Sequence, residues 1–285
     1  MRRLLPLLGI ILLSTGSWFL HAGTLAQFRS ALGDIEVELY DQDKPTTVQN
    51  FIRYVQSGAF QNEFSHRLQP SFVLQGGGFT VTNRGTTNWT ILSIPSFPPI
   101  TNEFAVGRRF SNLYGTIAMA KLGGDTNSAT SQWFFNLANN SFLDAADTNN
   151  LFVVFGHVVR GTSVLNAFNQ FQYYDGTQTT NLVYQGFLAP FDTLPLLNTD
   201  KTNVFETNLV FIDITLLEVA VANWSGGGHQ VSWNSSAGLT NIVEFTTNLP
   251  PSWNTLTQTN GTGSRMSVTD TAVAQNRFYR VRIVY

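Results

Sequence analysis

No cysteine occurs among the 285 residues of this chain. That excludes disulfides, a thiol nucleophile, Cys-ligated zinc and lipid attachment through an N-terminal cysteine. Charge is scarce as well: Asp, Glu, Lys and Arg together make up 12% of the sequence, about half of the roughly 25% usual in soluble domains. The formal net charge is −2, and the only adjacent basic pairs are Arg2-Arg3 and Arg108-Arg109. The basic footprint of a nucleic-acid-binding protein is therefore missing. Of the 4 histidines, His66, His157 and His229 lie far apart without ligand spacing, so neither a metal nor any other cofactor is expected. Gly76-Gly77-Gly78 lacks a following Lys-Ser/Thr, which leaves a turn closing a strand rather than a phosphate loop. Asp144, Asp147 and Asn149 could cup a cation in a loop, but a solvated turn explains the same run.

Long apolar runs are confined to the start. "MRRLLPLLGIILLSTGSWFLHAG" places Arg2 and Arg3 before an apolar run from Leu4 to Leu13, with small residues at Ala22 and Gly23. This is the layout of a secretory signal peptide. The run falls short of the roughly 20 apolar residues a membrane span needs, although Trp18, Phe19 and Leu20 could extend it into an uncleaved anchor. The expectation is an exported protein, periplasmic or extracellular, with no stable membrane insertion.

After residue 23 the pattern turns to short elements. "FRSALGDIEVELY" alternates through Ile35, Val37 and Leu39 as a half-buried strand does. "KPTTVQNFIRYVQSGAF" reads as a helix with Pro45 near its start, Val48, Phe51, Ile52 and Val55 at helical spacing, and Gly58 as its stop. Residues 79–111 read as one long irregular stretch. "GTIAMAKL", "SQWFFNLA", "FVVFGHVV" and "NLVFIDITLLE" read as strands, and "SVLNAFNQF" as a second helix. A linker or exposed turn is expected at 220–228, and the strand-like segments "HQVSWN", "NIVEFTT", "RMSVTD" and "RFYRVRIVY" follow it. The expected division is a signal at 1–23, a main domain at 24–218 and a small β-sandwich module at 219–285. Trp224, Trp233, Trp253 and Tyr279 of that module could make a sugar platform, but a small core accounts for them better.

One segment resists a purely structural reading. "FSHRLQPSFVLQGGG" (residues 64–78) carries Arg67 and Gln75 among apolar and small residues. Eight positions apart, they share a face of an uninterrupted strand, unless Pro70 bends it. In "SQWFF", Gln132 and Phe134 share one face and Trp133 and Phe135 the other. Each segment thus pairs an apolar face with a mixed polar and aromatic one. The structural alternative is an arginine held by a carboxylate on the outside of the sheet.

These same blocks resemble a known family. "FSHRLQPSFVLQGGGF", "GTIAMAKLGGDTNSATSQWFFNLANNSFLD" and "FVVFGHVVRGTSVLNAF" are similar, in order, to the signature blocks of cyclophilin-type peptidyl-prolyl isomerases in their bacterial form. The similarity runs from about Ala26 to Leu217. It implies a mainly β fold: a closed eight-stranded antiparallel barrel capped by two helices, with a groove on its outer face. By the same resemblance Arg67 is the catalytic arginine, with His66 beside it in a positioning role, and Gln75 and Phe72 line the groove. Ala120 and Gln132 hold the peptide backbone, and Phe134 and Leu143 wall the proline pocket. The implied partners are proline-containing peptides and unfolded exported proteins. Four further groove positions depart from the common pattern: Val73 replaces a frequent methionine, Lys121 an asparagine, Phe142 a tryptophan and Phe152 a histidine. The change at Phe142 implies weak cyclosporin binding. Ser65 stands where an aromatic residue usually precedes His-Arg, with Phe64 as its compensation.

Overall fold

The computed structural model describes residues 24–145, 151–171, 173, 190–191, 193–197, 204–217, 219–235, 240–248, 251–262, 264–272 and 276–284. The expected signal at 1–23, together with Asp147 and Asn149, lies outside them.

The chain opens with the hairpin β1 (Leu25–Ser30) and β2 (Gly33–Leu39), followed by helix α1 (Pro45–Gln56). Then come β3 (Arg67–Gln69), β4 (Val73–Gly76), β5 (Phe79–Thr82), β6 (Thr90–Ser93), β7 (Thr116–Met119) and β8 (Trp133–Asn136). After β9 (Val154–Arg160) come helix α2 (Thr162–Asn169) and β10 (Asp213–Leu216). Eight of these strands form one antiparallel sheet in the order β10-β1-β2-β9-β7-β8-β4-β3. Its inner face buries Phe28, Ile35, Val37, Leu39, Leu68, Leu74, Ile117, Met119, Trp133, Phe135 and Phe155 in one core with apolar residues of both helices.

The sheet does not close into the expected barrel: no ladder joins its edge strands β3 and β10. The physical reason is the three-residue length of β3. Its edge is served by other segments, with the Leu68 N–H donating to the Thr193 carbonyl at 2.7 Å. Just before β3 and β10 the chain is stitched by an isolated Phe64–Phe211 bridge and by Ser65 N–H to Val210 O (2.9 Å) and Ile212 N–H to Glu63 O (3.1 Å). The edges are thus linked by single contacts.

Helix α1 follows from its sequence. Pro45 occupies the first turn, where a missing N–H costs nothing, and Val48, Phe51 and Ile52 are buried in the core. Gly58, at φ 74°, accepts the left-handed turn beyond the helix. What the local sequence does not supply is the N-cap. Glu103, 57 residues away, accepts the Thr46 N–H at 3.0 Å, and the Thr47 N–H and hydroxyl at 2.7 Å each. The buried Lys44 ammonium donates to the Glu103 and Val106 carbonyls. Burial raises the Glu103 carboxyl, but the hydrogen bonds from Thr47 and Thr46 more than offset this and leave its pKa below the usual value.

The stretch 79–111 is less irregular than expected, because β5 and β6 form a hairpin within it. Val81 and Ile91 of that hairpin pack with Phe64, Phe191, Leu194, Leu196, Val204 and Leu209 in a second core. Phe64 is therefore committed to this separate cluster and does not fill the position of Ser65. The final strand is also shorter than "NLVFIDITLLE", since only Asp213–Leu216 is laddered.

Among the described residues the C-terminal region contains six strands: β11 (Val219–Asn223), β12 (His229–Asn234), β13 (Thr240–Thr246), β14 (Asn254–Asn260), β15 (Arg265–Asp270) and β16 (Phe278–Val284). They form two three-stranded sheets, β11-β12-β15 and β14-β13-β16. The expected linker at 220–228 is largely the first hairpin, β11 pairing with β12 across a glycine-rich turn. Strand β14 carries mainly Thr, Asn and Gln, which hid it from an apolar-periodicity reading. Val231, Trp233 and Val243 centre a cluster fed by both sheets. Trp233 and Tyr279 are thus core residues, with Tyr279 donating to Asp270 Oδ2 at 2.9 Å. Trp224 is 42% exposed, and Trp253 lies 4.3 Å from the Arg280 guanidinium.

Glu103→Ala removes three charge-assisted bonds from the first turn of α1. We expect a loss of about 2 kcal/mol, read as a lower urea midpoint at unchanged slope.

Candidate active site

The puzzle of Arg67 and Gln75 is resolved by a hairpin rather than a continuous strand. Strands β3 and β4 pair antiparallel with Arg67 directly opposite Gln75. The turn between them contains Pro70 and Ser71, the latter at φ 58°. Facing residues in an antiparallel pair project to one side, so pairing brings the two side chains together. Leu68 and Leu74 point into the core, which leaves Arg67 and Gln75 on the outer face. Gln75 lies opposite Phe134 of β8, and its Nε2 donates to Gln132 Oε1 at 2.7 Å.

Strand alternation extends this outer face across the sheet. Val73 (β4), Phe134 (β8), Ala118 (β7) and Val154 (β9) are buried on the outer face of the sheet with Leu143. Phe72, Ala120, Phe152, Tyr40 and Phe110 pack around them. Trp133 and Phe135 point the other way, into the core, as the period-2 reading of "SQWFF" requires. Gly76 is set by Trp133: a Cβ there would lie 2.4 Å from the indole. The rim is aromatic. Phe142 is 58% exposed and stacks on Phe72 at 5.8 Å, while Phe152 meets Phe134 edge-on at 5.7 Å. The Lys121 ammonium sits 4.6 Å over the Phe152 ring.

Arg67 is half-buried. Its Nη2 donates to Gln69 Oε1 at 2.8 Å, and its guanidinium lies 5.6 Å from the Phe72 ring. Among the described residues no carboxylate pairs with it, so the alternative of an arginine held by an acid is not what this face contains. His66 is placed differently from Arg67 and Gln75. It is 1% exposed and packs edge-on against Phe79 at 5.1 Å, behind the groove rather than in it. Burial first, then the Arg67 charge, pull its pKa from 6.5 down to about 3, against a side-chain hydrogen bond with Gln132. His66 is neutral at ordinary pH, in contact with the amide that Gln75 also holds.

A second layer, not anticipated from the sequence, ties the walls together. Asn140 Nδ2 donates to the Phe72 carbonyl (2.8 Å) and to Asn136 Oδ1 (2.8 Å). Asn136 Nδ2 donates to Asn112 Oδ1 at 3.1 Å, and Asn112 Nδ2 to Asp144 Oδ1 (2.7 Å) and the Phe152 carbonyl (3.1 Å). The three asparagines are at most 2% exposed. Through them the turn carrying Phe72, the 3₁₀ turn Ser141–Asp144 carrying Phe142 and Leu143, and the backbone of Phe152 are held in one frame. Asp144 also accepts from the Ser111 hydroxyl, so its carboxylate serves this frame. The run "NLANNSFLD", polar inside an apolar context, was the available signal. Tyr40 and Phe110, stacked at 3.8 Å, were missed too, because Phe110 falls in the stretch read as irregular.

Two outcomes follow from this geometry. Asn140→Ala leaves Asn136 Oδ1 without its Asn140 donor and the Phe72 carbonyl with the Leu137 N–H alone, and we expect a loss of about 1–3 kcal/mol in urea unfolding, with disturbed Phe72 and Phe142 side-chain NMR signals. His66, with its folded pKa depressed, stabilises fully above about pH 6.5. As pH falls towards about 3, the unfolded state takes up a proton that the native state refuses. Stability then drops by about 1.4 kcal/mol per pH unit from this group. His66→Gln should flatten that slope, so that wild type loses about 2 kcal/mol more than the variant between pH 6.5 and 4.5.

The chain matches the family model described as cyclophilin type peptidyl-prolyl cis-trans isomerase/CLD over residues 25–184. It is 35% identical over 166 residues to a peptidyl-prolyl cis-trans isomerase of Acinetobacter baylyi, covering 58% of this chain and 81% of that protein. It is 41% identical over 144 residues to peptidyl-prolyl cis-trans isomerase A of Dickeya dadantii, covering 50% of this chain and 70% of the relative. Peptidyl-prolyl cis-trans isomerase B of Escherichia coli is 33% identical over 147 residues, covering 50% of this chain and 82% of the relative. The outer-face groove thus lies within a matched region, and the chain belongs to the cyclophilin-type peptidyl-prolyl cis-trans isomerase family.

Proposed function

We propose that this chain isomerises Xaa-Pro peptide bonds in the groove of Arg67, Gln75, Gln132, Phe72, Phe134 and Leu143, acting on exported proteins as they fold. The observation that carries this reading is a guanidinium with no carboxylate partner among the described residues, set beside an apolar outer-face cluster. An Xaa-Pro bond turns over in tens to hundreds of seconds because amide resonance sets a barrier near ~20 kcal/mol. At the twisted geometry that resonance is lost, and lone-pair density returns to the prolyl nitrogen. Such a reaction needs no nucleophile and no proton shuttle. It needs a donor that binds the twisted amide better than the planar one, and a surface that fixes the ring while the other half rotates.

Arg67 suits the donor role, being always charged and presenting a rigid planar fork. Its bond to Gln69 holds one end of that fork and leaves further N–H groups for a substrate carbonyl. Phe72, Phe134 and Leu143 suit an apolar pyrrolidine ring. Gln75 and Gln132, already joined to each other, and the Ala120 backbone suit an extended peptide on either side. Raising the rate from about 10⁻² to about 10³ per second requires roughly 7 kcal/mol of barrier reduction, within reach of a few contacts made only in the twisted state. The export role rests on the signal-like layout of residues 1–23.

Arg67→Ala should lower kcat/KM at least about 100-fold, or roughly 2.7 kcal/mol, with the fold retained. NMR exchange spectroscopy on a short Xaa-Pro peptide measures this. Exchange at the wild-type rate in a folded variant removes Arg67 from the mechanism. Peptide binding without accelerated exchange by the wild type replaces the isomerase with a binding module.

A further inference from the structure

Behind the groove lies an acid whose side chain has no part in the contacts above. Glu63 is 0% exposed, and among the described residues neither oxygen of its carboxyl has a hydrogen-bond partner. Burial, opposed by the Gly77 N–H and reinforced by the Asp213 charge, holds its pKa well above the usual carboxylate value. A buried acid without an ion partner costs stability that an apolar residue of similar size would not. Groups of that kind persist where a site needs them.

The strand pairing puts this acid beside the joint of the groove. Its segment runs antiparallel to the one containing β4 and β5: Arg67 faces Gln75, the His66 N–H donates to the Gln75 carbonyl at 3.1 Å, and Glu63 is bridged to Thr80. Gly77 lies inside that span. Its N–H acts on the Glu63 carboxyl electrostatically without completing a hydrogen bond. Gly77 is tightly seated: a Cβ there would stand 2.5 Å from the Ser131 carbonyl oxygen and 3.0 Å from Trp133 Nε1, and that indole N–H is also buried without a partner. Two N–H groups and one carboxyl thus gather around a single glycine. Gly77 is two residues after Gln75, and the carbonyl it presses on belongs to the residue before Gln132. The side chains of Gln75 and Gln132 are joined at 2.7 Å, so this one glycine sets where both amides stand.

We propose that Glu63 is a positioning residue for the groove: from the buried side its carboxyl fixes the Gly77 peptide, and through it the placement of the Gln75–Gln132 pair that receives the substrate backbone. This rests on the isomerase reading above and adds a residue to that site. The two glutamines suit the flanking peptide in its planar and its twisted form alike. Loosening them therefore weakens both, which raises KM and leaves kcat in place.

The test compares the full chain with its Glu63→Gln and Glu63→Leu variants, by exchange spectroscopy over a range of concentrations of one Xaa-Pro peptide and by urea unfolding. Gln keeps a hydrogen-bonding head on the same stem and should hold KM within about twofold of wild type. Leu keeps the bulk and loses the head. It should raise KM about fivefold, the equivalent of one lost hydrogen bond, with kcat within about twofold. Because Leu also removes a buried acid, its urea midpoint should equal or exceed that of wild type, which separates positioning from a merely structural role. The side-chain amide NMR signals of Gln75 and Gln132 should shift in Glu63→Leu and return in Glu63→Gln. If Glu63→Leu does not fold, Glu63→Asp, which draws the carboxyl back by one methylene, takes its place in the KM, kcat and NMR comparisons. An unchanged KM with unshifted glutamine signals overturns the inference, and so does a Gln variant that fails as the Leu variant does. No acceleration by wild type overturns the isomerase reading instead, and the glutamine signals then still decide whether Glu63 sets the pair.

Discussion

The groove depends on a chain of buried polar side chains, Asn140–Asn136–Asn112–Asp144. An amide stripped of water is costly unless every donor finds an acceptor. Asn140 and Asn112 use their donors on the next member and on a backbone carbonyl of the groove wall, and Asn136 donates to Asn112 and to the Thr116 hydroxyl. The frame therefore restrains Phe72, Leu143 and Phe152 relative to one another within the outer-face cluster. Apolar packing alone would tolerate several positions for those side chains, because it lacks direction. Directional bonds are what define a pocket on the outside of a sheet.

That outside location makes a further demand. The sheet carries apolar matter on both faces, and the alternation of side chains has to assign each residue correctly. In β8, Trp133 and Phe135 enter the core while Phe134 joins the groove cluster. In β4, Leu74 enters the core while Val73 and Gln75 face out. A slip of one residue would send Gln75 into the core and Leu74 to the groove. Gly76 guards this register, since the indole of Trp133 fills the space a side chain would need.

The reaction explains the composition of the site. Rotation about an amide needs neither metal nor thiol nor paired acids, and the groove is built from one arginine, amides and aromatic rings. Histidine takes a supporting part, with His66 packed behind the groove and kept neutral by burial and by Arg67. The Lys121 ammonium and the Phe152 ring touch each other at the rim.

Much of this was legible in the residues. Apolar spacing with Pro45 and Gly58 marked helix α1, alternation marked β2 and β8, and ordered blocks pointed to the family, to eleven groove residues and to His66 behind them. Those signals are local, arising from backbone periodicity and from side chains within a few positions of each other. Other features are set by partners distant in sequence. The cap on α1 is Glu103, which no local rule around Pro45 reveals. Arg67 and Gln75 meet through a hairpin instead of along one strand. The sheet stays unladdered between β3 and β10 because β3 is too short to continue it. The asparagine frame joins four segments between Phe72 and Phe152. By itself the sequence determined which faces are apolar and which residue types carry the chemistry. Tertiary structure decided which polar groups pair, because a hydrogen bond depends on distance and angle, and those exist only once the chain has folded.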